Sequence, residues 1–157
     1  MTLIRFFYPE NPLAKLIEEP GGMAVTHAVA RAESNLVTAR TDYVADVDRN
    51  LARLQTLLPP SAHPPSPDAA VEAYQRANEV AGIAGVCGLD SVGKACFSLC
   101  ELLDLMNASG RWNGEAVAVH MAALKLLRGM KAKTGEGAVL KGLRQLVAHE
   151  IAVDAKQ

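Results

Sequence analysis

The sequence predicts an all-α protein, on three observations. Half of the 157 residues are hydrophobic but only 4% are aromatic, and Ala, Leu and Val dominate the apolar content, as in packed helices. Apolar residues recur at steps of three and four through most of the chain. Five of the eight prolines fall between positions 59 and 67 and none follows Pro67, so the rest of the chain lacks the residue that most strongly breaks a helix. The length fits one domain with a sizeable core.

Residues 1–22 contain two of the three Phe and one of the three Tyr, together with Pro9, Pro12, Pro20, Gly21 and Gly22. They read as an N-terminal arm, apolar enough to pack on the bundle, on a partner or on a second copy to form a homodimer. Residues 23–57 lack Pro and Gly. Val25, Val29, Ala32, Leu36, Tyr43, Val47, Leu51, Leu54 and Leu58 describe one long amphipathic helix. The Pro-rich linker 59–67 is expected to be extended and semi-rigid. Ser66, Pro67 and Asp68 then open a second helix over 67–87, with a capping oxygen and a proline in the first turn.

Gly88 to Ser91 is a tight connection with Asp90 or Ser91 as cap. A third helix over 91–107 follows, with Val92, Cys96, Leu99, Leu103 and Met106 spaced 4, 3, 4 and 3. The loop 107–114 holds Gly110, Trp112 and Gly114, and Trp112 is expected to cap the end of the bundle. A fourth helix over 114–132 carries Val117, Met121, Leu124, Leu127 and Met130. After a break at 133–137, a fifth over 138–152 carries Leu140, Leu143, Val147 and Ile151. Short connections make neighbouring helices antiparallel. The expected organisation is an arm (1–22), an up-down-up-down four-helix bundle (23–132) and an extra C-terminal helix with tail (133–157).

With 16 Lys and Arg against 17 Asp and Glu the net charge is −1, which makes no case for nucleic acid or an anionic membrane. No run of 18 apolar residues exists, so no membrane insertion is expected. The apolar patch over residues 3–8 is interrupted by Arg5 and ended by Pro9, too short for a signal-peptide core. A cytoplasmic location is therefore expected. Cys87, Cys96 and Cys100 are odd in number and lack Cys-x-x-Cys or His-containing ligand spacing. They read as buried, reduced thiols, with no metal and no cofactor.

The second helix contains the most informative pattern. Glycine in a helix costs about 1 kcal/mol relative to alanine, yet Gly82 and Gly85 lie within one turn. Gln75, Asn78, Gly82 and Gly85 are spaced 3, 4 and 3 and share one helix face, polar at one end and bare at the other. A bare stripe lets another backbone come close, either a neighbouring helix of the same bundle or a partner. Val80, Ala84 and Cys87 point elsewhere, as a core stripe would.

Asn78, Val80, Ala81, Gly82, Ala84, Gly85, Cys87 and Gly88 fall at the offsets of the signature helix of histidine phosphotransfer (HPt) domains. The chain resembles that family over roughly residues 24–132. Its pattern has a reactive His where this chain has Asn78 and a Lys where it has Ala81, while the small and glycine positions match. The resemblance implies an HPt-like four-helix bundle in bacterial two-component or phosphorelay signalling, with a receiver domain docking on the glycine face. An amide is not a useful nucleophile, Ala81 supplies no cation, and Glu79 would repel a phosphoryl group. The inherited site reads as chemically dead. The expected function is a non-catalytic adaptor that binds a response-regulator receiver domain or a histidine kinase through Gln75, Asn78, Glu79, Ala81, Gly82 and Gly85.

Two alternatives stand beside it. One is an active phosphotransfer protein using another histidine, with His120, on the apolar arc of the fourth helix, as the candidate. His27, His63 and His149 read as solvated side chains. The other is a structural or dimerising bundle whose glycines only allow close packing. Lys125, Arg128, Lys131 and Lys133 make the fourth helix basic toward its end, which favours its dipole or forms an anion- or partner-facing patch. No carboxylate pair, phosphate-cradling glycine loop or metal-ligand set appears in the sequence, so it does not read as an enzyme.

Overall fold

The computed structural model describes residues 21–61, 63–130 and 134–155. The described residues form five α-helices and no strand: α1 (Val25–Leu57), α2 (Pro67–Ile83), α3 (Asp90–Ser109), α4 (Gly114–Gly129) and α5 (Glu136–Asp154). All but the last two residues of the N-terminal arm, together with Lys131 and Lys133, lie outside the described residues. By its internal contacts the chain divides into residues 1–37 and 38–157, a division that falls within α1.

In the first unit, the described helical residues leave Val25, Val29, Leu36 and Val37 exposed. In the second unit, Val47, Leu51, Leu54 and Leu57 of α1 turn inward. They join a core whose largest fully buried side chains include Leu54, Leu99, Leu102, Leu124 and Leu143. Burying one such side chain contributes roughly 1.5–3 kcal/mol. Helix α3 is the central element, with ten buried residues, and packs against α2, α4 and α5.

Cross-helix contacts fix the helix directions. Arg40 reaches Cys87 and Arg53 reaches Glu72, so α1 and α2 run antiparallel. Cys100 lies over Tyr74, while the Cβ position of Gly93 lies near Ala81 and Ala84, so α2 and α3 do too. Asn113 bonds Glu150, near the opposite ends of α4 and α5. Ser91 meets Glu136 and Arg111 approaches Asp154, so α3 and α5 run in the same direction. The fifth helix, expected as an addition to four, is part of the core: Leu143 and Val147 are buried and α5 packs on both α3 and α4.

The helix starts follow local chemistry. Ser66 Oγ accepts from the Ala69 amide, with Pro67 in the first turn, as expected. Helix α3 differs. Leu89 stands at its N-cap without a side-chain bond, and Ser91 donates instead to Glu136 of α5. Asn113, read only as part of a loop, caps α4 by accepting from the amides of Glu115 and Ala116, both at 3.1 Å.

Candidate functional site

The glycine stripe lies on the open side of α2. Gln75, Asn78, Glu79, Gly82 and Gly85 are exposed and Ala81 is half-buried. A Cβ built on Gly82 meets nothing within 4 Å, and one on Gly85 meets only Asp90 Oδ1, at 3.8 Å. Neither glycine is needed to let another described helix come close. That role belongs to Gly93 of α3, whose Cβ would stand 3.0 Å from the Ala84 Cβ and 3.5 Å from the Ala81 carbonyl oxygen. Ala81 therefore belongs to the α2–α3 seam. The spacing in α2 pointed to a shared bare face, left open whether a helix of the bundle or a partner meets it, and did not reveal which glycine makes the seam.

The end of α2 is tightly built. Residues 84–88 continue from Ile83 as a hydrogen-bonded turn. The Leu89 amide donates to the Ala84 carbonyl at 2.8 Å and the Gly88 amide to the Gly85 carbonyl at 3.0 Å, the two bonds of a Schellman motif. Gly88 takes the left-handed conformation this requires, with φ +72°. Arg40 of α1 donates from Nη2 to the Cys87 carbonyl at 2.8 Å. The cation sits where the helix dipole is negative. Gly85 and Gly88 thus stand in a braced turn, and Gly82 in the last turn of regular helix.

Charges flank the stripe without crossing it. Arg53 makes two bonds to Glu72, at 2.9 and 2.7 Å. Arg76 lies 3.5 Å from Glu72 and 3.2 Å from Glu79. Hydrogen bonding to Arg53 holds the Glu72 carboxyl below its ordinary pKa. Glu79 therefore adds negative charge beside Asn78 that Arg76 partly offsets. Sequence periodicity missed Phe97, which is 58% exposed on α3. It lies between Gly93, which faces Ala81, and Cys100, which faces Tyr74, and so stands alongside the part of α2 that carries Asn78. Its position off the apolar stripe Val92, Cys96, Leu99 was the available signal.

His120 is fully buried. Its Nδ1 donates to the Ala116 carbonyl at 2.9 Å, which leaves Nε2 to accept from the Ser98 hydroxyl at 3.0 Å. Burial, partly offset by the Ala116 bond, pushes its pKa down and favours neutral imidazole. Both nitrogens are hydrogen-bonded within the core, an arrangement that does not favour His120 as a substitute phosphoacceptor. His27, His63 and His149 are exposed.

The three cysteines are buried and unpaired. Burial pushes the Cys96 thiol up to about 12 and the Cys100 thiol to about 11, which suits packing better than thiolate chemistry. No cluster of three or more His, Cys, Asp or Glu suited to a metal lies among the described residues. No described helix is long and apolar enough to cross a membrane. Arg128 is tied to Asp48 of α1 by bonds of 2.7 and 2.9 Å rather than contributing to an open basic patch; Lys125 is exposed.

Trp112 is half-buried at one end of the helices, and its indole N–H donates to the Ser61 carbonyl at 3.4 Å. It stands between two clefts of about 570 and 590 Å³. Comparison with protein-family models, with curated proteins and with solved structures finds no match to this chain.

Proposed function

We propose that this chain is a non-catalytic adaptor of the HPt type. It docks a receiver domain or a histidine kinase on the glycine face of α2, in the cytoplasm, without accepting phosphate. The observation that carries this reading is the open space over Gly82 together with the exposure of Gln75, Asn78 and Gly85. Helix-breaking residues on a face that no described part of the chain covers make sense when an outside backbone approaches there. Asn78 stands where the resemblance places a nucleophile, and an amide does not take up phosphate. The burial of His120 leaves no substitute in the core. Exposed Phe97 adds an aromatic anchor beside the stripe. The docked face would occupy the receiver's phosphorylation surface and act by competition or sequestration.

The test uses purified receiver and kinase domains of the source organism, immobilised as a panel. Wild-type protein is expected to bind at least one of them, and Gly82→Arg to bind more than tenfold more weakly while its helical circular dichroism is unchanged. Gly129→Arg, also at a glycine with nothing near its Cβ position, serves as the control. Equal binding by wild type and Gly82→Arg would sink the docking face. Transfer of radiolabelled phosphate to the chain from a labelled receiver would sink the non-catalytic part.

A second reading, a structural bundle that pairs with its own copy, is favoured by Val25, Val29 and Leu36. They recur at steps of 4 and 7 on α1 and are all exposed. Sedimentation equilibrium distinguishes the readings: a dimer lost in Val29→Lys with Leu36→Lys supports self-association, and a monomer at every concentration removes it.

A further inference from the structure

We infer that the cleft of about 590 Å³ walled by Tyr74, Leu103, Trp112 and the linker prolines is a binding site for a small planar aromatic acid. The inference does not depend on the docking reading. The cleft has the size and mostly apolar lining of a small-molecule site. One wall is the first half of α2, with Ala70, Val71 and Tyr74, and another is the second half of α3, with Leu103 and Met106. Pro64, Pro65 and Pro67 close one side as a stiff strand, so that side needs little ordering when a ligand enters.

The Trp112 wall is also held in place. Gly110, at φ +67°, turns the chain out of α3. Trp112 is bonded to Ser61, and Gly114 is pressed so closely on the Ser61 carbonyl that no side chain would fit there. Two aromatic rings and three prolines in one cleft suit a flat apolar body.

The charge at the wall selects the class of ligand. Arg111 is the one cation lining this cleft among the described residues. Its Nη1 stands 3.8 Å from Asp154 Oδ1 on the side of the neighbouring cleft, too far for a hydrogen bond. The Arg111 side chain as a whole is 39% exposed, so its outward donors can meet an acceptor in the cleft, and a carboxylate is their natural partner. The neighbouring cleft of about 570 Å³ shares Arg111 but adds Glu115, Glu150 and Asp154, which repel an anion. Asp104 marks the opposite polarity within the site. It is exposed at the lining, and its charge is the first cause holding the proton on the Tyr74 phenol. The acid group of the ligand is thus directed to the Arg111 end.

Trp112 is the only tryptophan of the chain, so its emission reports on the two clefts it stands between, and Val71, which lines only the larger, tells them apart. The probe is 1-anilinonaphthalene-8-sulfonate, an aromatic anion that accepts energy from indole. Titration into the full chain is expected to saturate at one probe per chain with Trp112 quenched. Arg111→Gln and Val71→Glu, both at surface-accessible positions of the lining, are each expected to weaken it at least tenfold while the thermal melt stays cooperative. With wild-type protein, 1-naphthoate is expected to displace the probe and the neutral 1-naphthalenemethanol to do so at least tenfold less well. Binding that does not saturate, or that is unchanged in both variants, overturns the site. Equal competition by the acid and the alcohol, or full binding by Arg111→Gln, overturns the assignment of an acid.

Discussion

A methyl group placed on Gly93 would stand 3.0 Å from the Cβ of Ala84, in the seam where α3 crosses α2. The two helices can approach this closely because Ala81 and Ala84 present only small side chains to a glycine. Gly82, one residue from Ala81 and two from Ala84, has nothing within 4 Å of its own Cβ position. Glycines on two neighbouring helices therefore do opposite things: Gly93 lets the fold close, and Gly82 leaves a surface bare.

The contrast predicts opposite stability changes. Gly82→Ala fills empty space in a helix and is expected to stabilise the protein by about 0.5–1 kcal/mol, chiefly by narrowing the unfolded ensemble. Gly93→Val forces side-chain carbons into Ala84 and the Ala81 backbone and is expected to cost about 1–3 kcal/mol. Urea unfolding followed by circular dichroism checks both. A destabilising Gly82→Ala would mean that the stripe is packed after all.

The helices were legible in the sequence because burial enforces a period. The spacing of Val92, Cys96, Leu99, Leu103 and Met106 is the inward face of α3, and all five are buried. The Ser66-Pro67 start was legible because cap chemistry is local. What is set by contacts between distant segments was not. Nothing near Gly93 in sequence says that Ala84 lies against it, and nothing near Ser91 says that Glu136 takes its hydroxyl. The place of α5 in the core was hidden for the same reason, since its apolar spacing is the same for a helix at the edge of a bundle and one within it. Of the candidate site, the shared face of Gln75, Asn78, Gly82 and Gly85 was legible from spacing; its openness, Phe97 and the sorting of Ala81 into the seam required the fold.

Ser98 and His120 predict a pH dependence. The folded-state pKa of His120 is depressed by burial below its ordinary 6.5, so the unfolded chain binds the extra proton more readily. Stability from this group is therefore fully present above pH 6.5 and is lost as pH falls through 6.5 toward the lower folded value. Urea midpoints measured between pH 7.5 and about 5, a range chosen to stop above most carboxylate titrations, are expected to fall, and the slope to flatten in His120→Gln. A midpoint that rises on acidification in this window would contradict the buried neutral imidazole. Ser98→Ala strands Nε2 without a donor and is expected to cost about 1–3 kcal/mol at neutral pH.

Gly88 and Arg40 are expected to be coupled. Alanine at Gly88 is strained by the left-handed backbone, at roughly 1–2 kcal/mol. Its Cβ would also lie 2.8 Å from Arg40 Nη2 and displace the guanidinium from the Cys87 carbonyl. Arg40→Ala removes the same bond from the other side. The double variant is expected to lose less than the sum of the two single losses, measured as a double-mutant cycle in urea. Strict additivity would show that Arg40 does not brace the turn.

Phosphoacceptor chemistry is expected to be restorable on the open face. Asn78 is exposed, so an imidazole placed there reaches solvent as a nucleophile must. A nucleophile alone is not enough, because phosphorylation brings negative charge next to Glu79, which Arg76 only partly offsets at 3.2 Å. Ala81 lies three residues from Asn78, close to one helical turn. It is half-buried in the seam, so a lysine there has a flexible stem that can carry its ammonium outward to the phosphoryl group. Asn78→His alone is expected to take little acid-labile phosphate from phosphoramidate, a small donor that needs no docked partner. Asn78→His with Ala81→Lys is expected to take several-fold more, and adding Glu79→Gln to raise it again. The charge account predicts that order, as read by phosphohistidine immunoblot before and after acid treatment. Equal labelling of all three variants would show that the missing cation and the added carboxylate are not what silences this face.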